Sequence, residues 1–518
     1  MKTILIQPPA LQSQDSYSSF TQPPLGIAYL AAYAKSLGFD VSVLDAVGPA
    51  FQRTCPWPGA PGLLLQGMPL DEVVSRLPQD AEVVGFSCMF THAWPMVREL
   101  MHRVRAALPK AFLIAGGEHA TAMPERVLRD GRLDLIVLGE GEMTFGEVLE
   151  KLKLGVRSWG SQLGVAFLDG QGRFTATPRQ PRIMQLDALP YPDWESLDIT
   201  TYMDNHIFMG PSGSASRSIP MLATRGCPYG CTFCASPNMW TRLYRTREPA
   251  KVVDEMEHWM ARFGANDFQF QDLTAIVRKE WIMEFCREII RRKLSLTWQI
   301  PVGTRAEAID GEVTEVLMAS GCAHVTYAPE SGSERILRAV DKKVHLDQIE
   351  ASAKAALKSG MKVCLFMIVG FPQEEREDIR MTFRFIRRMA RLGSHEIALA
   401  TFVPFPGTVL FDEVNRPHPI EVDDDYCYWM TGTTRLVRIK SFNPRLTDAT
   451  LRRLKLSGMA QFYAVSFVTH PSRLWGLLRA WVTGEQKTKT DRVVRELSLR
   501  ARRWAASGLR RLVSGRPR

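Results

Sequence analysis

Three cysteines fall within one short loop, Cys227-Pro228-Tyr229-Gly230-Cys231-Thr232-Phe233-Cys234. A [4Fe–4S] cluster normally takes four cysteine thiolates, one on each iron. Three thiolates would hold three of the irons and leave the fourth open to a small molecule. We therefore interpret Cys227, Cys231 and Cys234 as the ligands of a four-iron cluster with one open coordination site.

Other interpretations of this loop fit the sequence less well. A structural zinc site needs four ligands, usually as two closely spaced pairs, and the remaining six cysteines are scattered singly. A disulfide framework is disfavoured by the odd count of nine cysteines and by an N-terminus that reads as a buried strand rather than a signal peptide. The preceding Thr224-Arg225-Gly226 and the aromatic Phe233 disfavour a chance spacing.

Position by position, the loop resembles that of the radical S-adenosylmethionine (SAM) enzymes. In that family the open iron binds the amino and carboxylate groups of SAM, and an electron from the cluster cleaves SAM to a 5′-deoxyadenosyl radical. The resemblance implies a reductant such as flavodoxin or ferredoxin as a partner. It also implies that Phe233 shields the cluster and packs near the adenine of SAM, the alternative being a plain core aromatic.

Composition and charge indicate a soluble protein whose basicity is local. The chain has 518 residues, 45% hydrophobic and 23% charged, which suggests about three domains. No apolar run reaches the ~18 residues of a membrane-spanning helix, and we expect a reducing cytoplasmic location. Residues 435–518 carry 20 Lys and Arg against 4 Asp and Glu, whereas the other 434 residues carry 45 and 51. The net charge of +10 therefore gives no indication of nucleic-acid binding by the catalytic part.

Residues 1–150 predict a doubly wound, Rossmann-like parallel sheet, because short apolar runs alternate with helical patterns. The predicted strands are 3–6, 41–44, 83–87, 112–115 and 135–138. Sheets of this type bind ligands at the carboxyl ends of their strands, where this sequence has glycine pairs and prolines. No G-x-G-x-x-G follows the first strand, so a nicotinamide site is unsupported.

These loops resemble the N-terminal cobalamin-binding domain of one large branch of radical SAM enzymes. The matching stretches are Pro8-Pro9, Pro23-Pro24-Leu25-Gly26, Gly116-Gly117-Glu118-His119 and Gly139-Glu140-Gly141-Glu142. The resemblance implies a bound cobalamin contacted by Pro8, Pro9, Ser87, Thr91, Gly116, Gly117, His119, Thr121, Gly139, Glu140, Gly141 and Glu142.

The D-x-H-x-x-G motif that supplies a lower axial histidine in classical cobalamin enzymes is missing. We therefore expect a base-off cobalamin without a histidine ligand, which fits this branch. His92 and His119 are the nearby histidines, and we expect either one to hydrogen-bond a loop rather than to ligate cobalt.

Residues 151–215 predict a connector with a proline-fixed segment, and residues 216–410 predict a second α/β unit. About six strand–helix repeats begin with the strand that leads into the cysteine loop. Six repeats fit the partial (β/α)6 barrel of the radical SAM superfamily, and the chemistry of such barrels sits at the carboxyl ends of their strands.

Four more residues at these strand ends are implied by the resemblance to contact SAM. Asp272 ends a strand whose alternation points the acid toward the barrel mouth, the alternative being a turn residue. Arg305 can pair with the SAM carboxylate or a substrate acid, the alternative being a surface arginine. Glu330 and Ser331 lie in a stretch close to the family's E-S-G-S-E-R-I-L, where Ser331 and Glu334 can also form a helix-capping box.

Two later stretches also match the family. Gly370-Phe371-Pro372 matches its G-F-P, although the family continues G-E-T where this chain has Gln373-Glu374-Glu375. Pro404-Phe405-Pro406-Gly407-Thr408 matches a P-x-P-G-T at the last strand.

Residues 411–518 predict a mainly helical, basic region. We expect the acidic and aromatic stretch 423–429 to line the substrate entrance. Residues 491–513 predict a basic amphipathic helix that can lie on an anionic membrane surface, the alternative being a solvated helix or a disordered tail.

The resemblance implies a cobalamin-dependent radical SAM enzyme that moves a methyl group from methylcobalamin to an unactivated carbon, after the 5′-deoxyadenosyl radical has abstracted hydrogen. One alternative is an oxidative cyclase acting on a tetrapyrrole-like substrate, as in anaerobic porphyrin cyclases of similar layout. Another is a non-catalytic cobalamin or Fe–S sensor with a nucleic-acid-binding tail, against which the barrel-mouth motifs count. We expect a small-molecule substrate, with a lipid or tetrapyrrole favoured by the basic tail, and no nucleic-acid partner.

Overall fold

A computed structural model describes residues 1–16, 21–211, 215–483, 488 and 491. Apart from Asp491, the basic helix predicted over residues 491–513 lies outside the described residues.

The N-terminal part is built from ten strands and six helices. Its strands are β1 (Lys2–Gln7), β2 (Ala10–Ser13), β3 (Asp40–Asp45), β4 (Thr54–Pro56), β5 (Leu63–Gln66), β6 (Val83–Ser87), β7 (Phe112–Gly116), β8 (Leu135–Val137), β9 (Val165–Leu168) and β10 (Phe174–Ala176). Its helices are α1 (Leu25–Ser36), α2 (Leu70–Ser75), α3 (Trp94–Ala107), α4 (Glu118–Ala122), α5 (Pro124–Gly131) and α6 (Glu142–Lys153).

Seven of these strands form one sheet in the order β10-β9-β8-β7-β6-β1-β3. Strands β3, β1, β6, β7 and β8 are parallel, as predicted, and Ile4, Leu5 and Ile6 of β1 are all buried because helices cover both faces. The chain passes from β1 to β3 on one side and later to β6 on the other. The switch point therefore lies between β1 and β6, where such sheets open a ligand crevice.

Two parts of this region were not predicted. Strands β9 and β10 extend the sheet in antiparallel fashion, although their residues fall in the predicted connector. Strands β2, β5 and β4 form a small antiparallel sheet of their own. Both features are short strands in stretches without a long apolar run, which is why periodicity missed them.

The second part contains the barrel. After α7 (Ile199–Asp204), its strands are β11 (Ser218–Met221), β12 (Thr224–Arg225), β13 (Arg245–Thr246), β14 (Asp267–Phe270), β15 (Thr297–Thr304), β16 (Cys322–Glu330), β17 (Lys362–Val369) and β18 (Glu396–Thr401). Its helices are α8 (Ser236–Trp240), α9 (Pro249–Phe263), α10 (Lys279–Arg291), α11 (Gly311–Ala319), α12 (Glu334–Ala339), α13 (Leu346–Lys358) and α14 (Arg376–Leu392).

Six parallel strands follow one another in the order β11-β14-β15-β16-β17-β18, which is the predicted (β/α)6 arrangement. Local sequence sets the helix ends: α9 begins at Pro249, where a missing N–H costs nothing, and ends before Gly264 in the left-handed region (φ +65°). Strands β12 and β13 pair antiparallel on either side of the cysteine loop, which therefore leaves the barrel at the carboxyl end of β11.

The C-terminal part continues with α15 (Val409–Asn415), α16 (Asp424–Trp429), α17 (Asp448–Thr469) and α18 (Ser472–Thr483). Helix α16 packs on the N-terminal part: Arg98 holds Asp424 with two bonds of 3.0 and 2.7 Å, and Trp57 Nε1 donates to the Tyr428 hydroxyl at 2.9 Å. These contacts correct the expected place of this stretch at the substrate entrance, because its aromatic side chains are buried against the first domain. No helix in the described part of the chain is long and apolar enough to cross a membrane.

Candidate active site between the two sheets

A cavity of ≈ 410 Å³ lies between the carboxyl ends of the first sheet and the cysteine loop, within the ~300–1,000 Å³ usual for ligand sites. Its wall on the sheet side includes nine of the residues predicted to contact cobalamin: Pro8, Pro9, Ser87, Gly116, Gly117, Gly139, Glu140, Gly141 and Glu142. Its wall on the barrel side includes Thr224, Arg225, Gly226 and Gln271. The cavity therefore covers most of the predicted cobalamin site and reaches the segment that leads into the cysteine loop, whereas Cys227, Cys231 and Cys234 are not among its lining residues.

Glycines allow the backbone of the first sheet to form this wall closely. Gly117 has φ +113°, and a Cβ there would stand 2.7 Å from the carbonyl oxygen of Cys88. Gly139 has φ +77°, and a Cβ would meet the carbonyl oxygen of Met239 at 3.2 Å. A side chain at either position would be strained and would push against neighbouring protein groups, so glycine lets the loops that form this wall pack closely.

The three remaining predicted cobalamin contacts lie behind this wall. His119 is buried and its Nδ1 lies 3.1 Å from Thr91 Oγ1, while Thr121 Oγ1 accepts a hydrogen bond from the Gly139 N–H at 3.0 Å. Burial lowers the pKa of His119 to about 3, which keeps its ring neutral. Thr91, His119 and Thr121 thus hydrogen-bond within the loops and are not among the lining residues of the cavity, and their contact with cobalamin stays a prediction.

His92 does line the cavity and stacks on Phe90, with ring centroids 5.4 Å apart. Burial lowers its pKa to about 4, so the ring is neutral at physiological pH. Binding of cobalamin without a histidine ligand stays a prediction.

The cysteine loop is fixed by backbone contacts with two helices that follow it in the chain. The Thr232 N–H donates to the Val340 carbonyl at 3.0 Å, at the end of α12, and the Leu410 N–H of α15 donates to the Thr232 carbonyl at 2.9 Å. Gly226 has φ +86°, and a Cβ there would overlap the Leu243 carbonyl. The loop is therefore held from both sides before any cluster binds.

The three thiols fit a cluster site by their surroundings. All three are free and half-buried. The thiolate of Cys234 raises the pKa of both Cys227 and Cys231, and the thiolate of Cys227 also raises the pKa of Cys231. Burial raises the pKa of Cys231 to about 11, whereas Lys342 favours its thiolate. Among the described residues, no three His, Cys, Asp or Glu side chains lie close enough together to bind one metal ion. In a four-iron cube each thiolate binds a different iron, so the thiols need not converge on one point.

Lys342 is a site residue that the sequence did not reveal. Its ammonium group lies 3.0 Å from Glu330 Oε1 and is near enough to Cys231 for the two charges to interact. Burial opposes the charge and is the largest single effect, but Glu330 and Cys231 together outweigh it and raise the pKa of Lys342. In the sequence, Lys342 and Lys343 follow a helix as an ordinary basic pair, and only the fold brings the first of them to the cysteine loop.

Arg305 lies at the cysteine loop, and Glu330 pairs with Lys342. Glu330 ends β16 with a φ of +68°, which is a strained conformation for a residue with a side chain. Arg305 lies over the ring of Tyr229 at 3.6 Å from its centroid and donates from Nε to Glu307 at 3.1 Å. Their contact with SAM stays a prediction.

Asp272 is fully buried and supports the approach to the cysteine loop. Its carboxylate accepts hydrogen bonds from the backbone N–H groups of Ala223, at 3.1 Å, and Thr224, and from the Thr224 hydroxyl. Burial raises its pKa to about 6. These bonds make Asp272 a positioning residue in this structure, and a contact with SAM stays a prediction.

Ser331 and Phe233 are packed among protein groups. The hydroxyl of Ser331 lies 3.2 Å from Thr382 Oγ1, and Ser333 rather than Ser331 caps α12 by accepting from the Ile336 N–H at 3.4 Å. The predicted capping box is therefore wrong, because the N-cap residue of α12 is Ser333, two residues after Ser331. Phe233 meets Phe371 edge-on at 5.6 Å, in an apolar cluster under the loop. Their contacts with SAM stay predictions.

A buried charge network joins the first sheet to the cysteine loop, and the sequence did not predict it. Arg225 lies 2.9 Å from Glu140 and 2.7 Å from Glu142, and Glu140 also pairs with Arg245 at 3.1 Å and Arg182 at 3.4 Å. All five side chains are at most one-tenth exposed. Because Arg225 stands two residues before Cys227, this network, which we call the Glu140–Arg225 network, fixes the loop relative to the cavity.

Comparison with known proteins gives this architecture its class. The model of the Radical SAM superfamily matches residues 221–386, and that of the B12 binding domain matches residues 17–149. Cytidylyl-2-hydroxyethylphosphonate methyltransferase of Streptomyces wedmorensis is 30% identical over 395 residues, which are 72% of this chain and 73% of that protein. The chain belongs to the cobalamin-binding radical SAM enzymes.

Two further similarities extend the comparison. Anaerobic magnesium-protoporphyrin IX monomethyl ester cyclase of Rubrivivax gelatinosus is 28% identical, over 76% of this chain and 66% of that protein. The solved structure of the radical SAM methyltransferase TsrM from Kitasatospora setae, with cobalamin and a [4Fe–4S] cluster bound, superposes with a TM-score of 0.63 at 18% identity, over 90% of this chain and 89% of that one. The predicted fold class, enzyme class and cofactors are confirmed.

Proposed function

We propose that this enzyme transfers a methyl group to an unactivated carbon of a small molecule bound in the central cavity. The observation that carries the proposal is the cavity itself, which has the cobalamin-type glycine loops on one wall and, on the other, Thr224, Arg225 and Gly226, which lead directly into the cysteine loop. A substrate there would lie between the two cofactors. The similarity to a methyltransferase at 30% identity supports the same reaction.

The residues of the chain divide the work of binding. Cys227, Cys231 and Cys234 would hold the cluster, and Lys342 offers a buried ammonium beside Cys231 for a carboxylate such as that of SAM. Glu330, paired with Lys342, would accept a bond from the amino group or a ribose hydroxyl. When bound, the cluster, SAM and cobalamin supply one-electron cleavage of SAM and a methyl group carried by cobalt.

The walls of the cavity keep water from the reacting carbon. The lining is mostly apolar, and Pro8, Pro9 and Trp240 enclose it between the two sheets. Exclusion of water protects reactive intermediates from side reactions. We propose in addition that a flavodoxin or ferredoxin supplies the electron, in a reducing cytoplasm.

Anaerobic reconstitution with cobalamin, SAM and a reductant tests the proposal. We expect both 5′-deoxyadenosine and S-adenosylhomocysteine from the wild type, because the first reports radical formation and the second reports methylation by SAM. Cys231→Ala should form neither above background, since it lacks one cluster ligand. Cys55→Ala is the matched control, because Cys55 is an exposed cysteine far from the loop in sequence, and it should behave as the wild type.

Each product decides a different question. Absence of 5′-deoxyadenosine from the wild type, with the cluster confirmed by iron content, would overturn the radical reaction. Formation of 5′-deoxyadenosine without S-adenosylhomocysteine would overturn methyl transfer. That second outcome favours oxidative ring formation on a tetrapyrrole-like substrate, the candidate supported by the similarity to the Rubrivivax gelatinosus cyclase.

A further inference from the structure

The last described helix, α18, exposes four large apolar side chains to solvent. Trp475 is 75% exposed, Leu478 and Trp481 are each 51% exposed, and Leu474 is 46% exposed. At 100° per residue these four positions cover an arc of about 120° on one side of the helix. We call this surface the Trp475 face. A continuous apolar stripe of this kind on an exposed helix marks a surface that binds a partner.

Helix α18 is attached to the barrel at its start. The Arg473 guanidinium donates to the Ser394 carbonyl at 2.7 Å and to the Gly393 carbonyl, and the His470 ring lies 3.1 Å from the Arg391 carbonyl. These carbonyls lie in the turn between α14 and β18, at the amino ends of the barrel strands. The Trp475 face is therefore at the opposite end of the barrel from the cysteine loop.

Charge identifies the kind of partner. Helix α18 contains two arginines and no acidic residue, and residues 484–518 carry 11 Lys and Arg against 3 Asp and Glu. A second copy of this chain would bring two strongly positive segments together. A nucleic acid would satisfy the charge but would leave the two leucines and two tryptophans without an apolar partner. An anionic bilayer satisfies both, since tryptophan and leucine enter the interface while basic residues meet the headgroups.

We propose that the Trp475 face binds the surface of an anionic membrane and tethers the enzyme there. Twelve helical residues extend ~18 Å, well short of the ~30 Å hydrocarbon core, so α18 lies in the interface and does not span it. This geometry turns the amino end of the barrel toward the lipid and the cysteine loop away from it. The membrane is then an anchoring surface, and the substrate reaches the cavity from the other side.

Vesicle co-sedimentation of the full-length holoenzyme tests the tether. The probe is phosphatidylcholine vesicles containing about one-third phosphatidylglycerol, compared with phosphatidylcholine alone, at ionic strength near 0.15 M. We expect binding to the anionic vesicles, and a loss of at least about tenfold in the partition coefficient for Trp475→Ser/Trp481→Ser. Leu154→Ser is the matched control, because Leu154 is also 75% exposed but lies in the first domain, and it should bind as the wild type.

Each other outcome overturns the tether. Equal vesicle binding by the wild type and the double variant, or no binding by either, would exclude the Trp475 face as the membrane contact. A concentration-dependent dimer in sedimentation equilibrium that the double variant loses would assign the face to a second copy. Binding to duplex DNA but not to vesicles would assign it to nucleic acid.

A separate control checks folding. Unchanged far-UV circular dichroism and 5′-deoxyadenosine formation in the double variant would show that the fold is intact.

Discussion

Lys342 shows how single residues prepare the cysteine loop for its cluster. A thiolate is the form that binds iron, and burial is the main cause that raises the pKa of Cys231 to about 11, even though Lys342 acts to lower it. A buried ammonium beside that thiol favours the thiolate, and Glu330 keeps the ammonium charged. The Lys342–Glu330 pair therefore provides a positive and a negative group where the amino-acid end of SAM would lie.

Lys342→Gln should weaken SAM binding by tenfold or more, because a charge-assisted hydrogen bond contributes about 1.5–3 kcal/mol. Equilibrium dialysis of SAM against the reconstituted enzyme measures the change, together with iron content. Lys343→Gln is the control, since that neighbouring lysine is 72% exposed in its side chain and should leave binding unchanged. Equal effects of the two substitutions would remove Lys342 from the site.

Glu374 makes a second prediction at the residue scale, on pH. It is fully buried, its Oε2 accepts from the N–H groups of Gly370 and Phe371, and burial raises its pKa to about 8. Since the pKa in the folded state lies above the ordinary value of 4.5, this group stabilises the fold below that value. The contribution is lost as the pH rises through 8.

Glu374→Gln should therefore reduce the fall in melting temperature between pH 6 and pH 9 that the wild type shows, because glutamine keeps an acceptor and carries no charge. Anaerobic thermal unfolding at several pH values measures this. Glu413→Gln, at an exposed glutamate, is the control and should follow the wild type. An unchanged pH profile in Glu374→Gln would contradict the assignment.

At the scale of elements, the Glu140–Arg225 network joins the loop after β8 to the short strand β12. Two carboxylates face three guanidinium groups away from water, so removal of one carboxylate leaves buried positive charge uncompensated. The ring of Tyr29 in α1 lies 4.9 Å from the Arg225 guanidinium and adds a third element to the junction. This junction places Gly226 at the edge of the cavity, directly before Cys227 in the chain.

Glu140→Gln should lower the free energy of unfolding by about 3 kcal/mol and reduce the retention of cobalamin after gel filtration. Denaturant unfolding and the visible absorbance of the protein fraction measure the two effects. Glu125→Gln is the control, because Glu125 makes a half-exposed pair with Arg129, and we expect less than about 1 kcal/mol. A Glu140→Gln protein as stable as the control would show that the network does not hold the junction.

For the whole molecule, the sequence predicted the two sheets because their signals are local, and it predicts a cluster at Cys227, Cys231 and Cys234 for the same reason. Apolar runs such as 83–87 and 112–115 became strands within a residue of their predicted bounds, and the cysteine spacing needs only one loop. The Glu140–Arg225 pair, 85 residues apart, and the approach of Lys342 to Cys231 depend on packing. Periodicity carries no information on such contacts. It likewise could not predict that His119 is buried and hydrogen-bonded to Thr91.

We propose that cobalamin and the cluster lie on opposite sides of one cavity. Electron paramagnetic resonance of the enzyme loaded with cob(II)alamin and a reduced cluster tests it most directly, because two unpaired electrons across one cavity couple magnetically. We predict a cob(II)alamin signal that is split or broadened in the wild type and sharp in Cys231→Ala, which lacks one cluster ligand. A wild-type signal as sharp as that of Cys231→Ala, with both cofactors confirmed at full occupancy, would contradict the shared cavity.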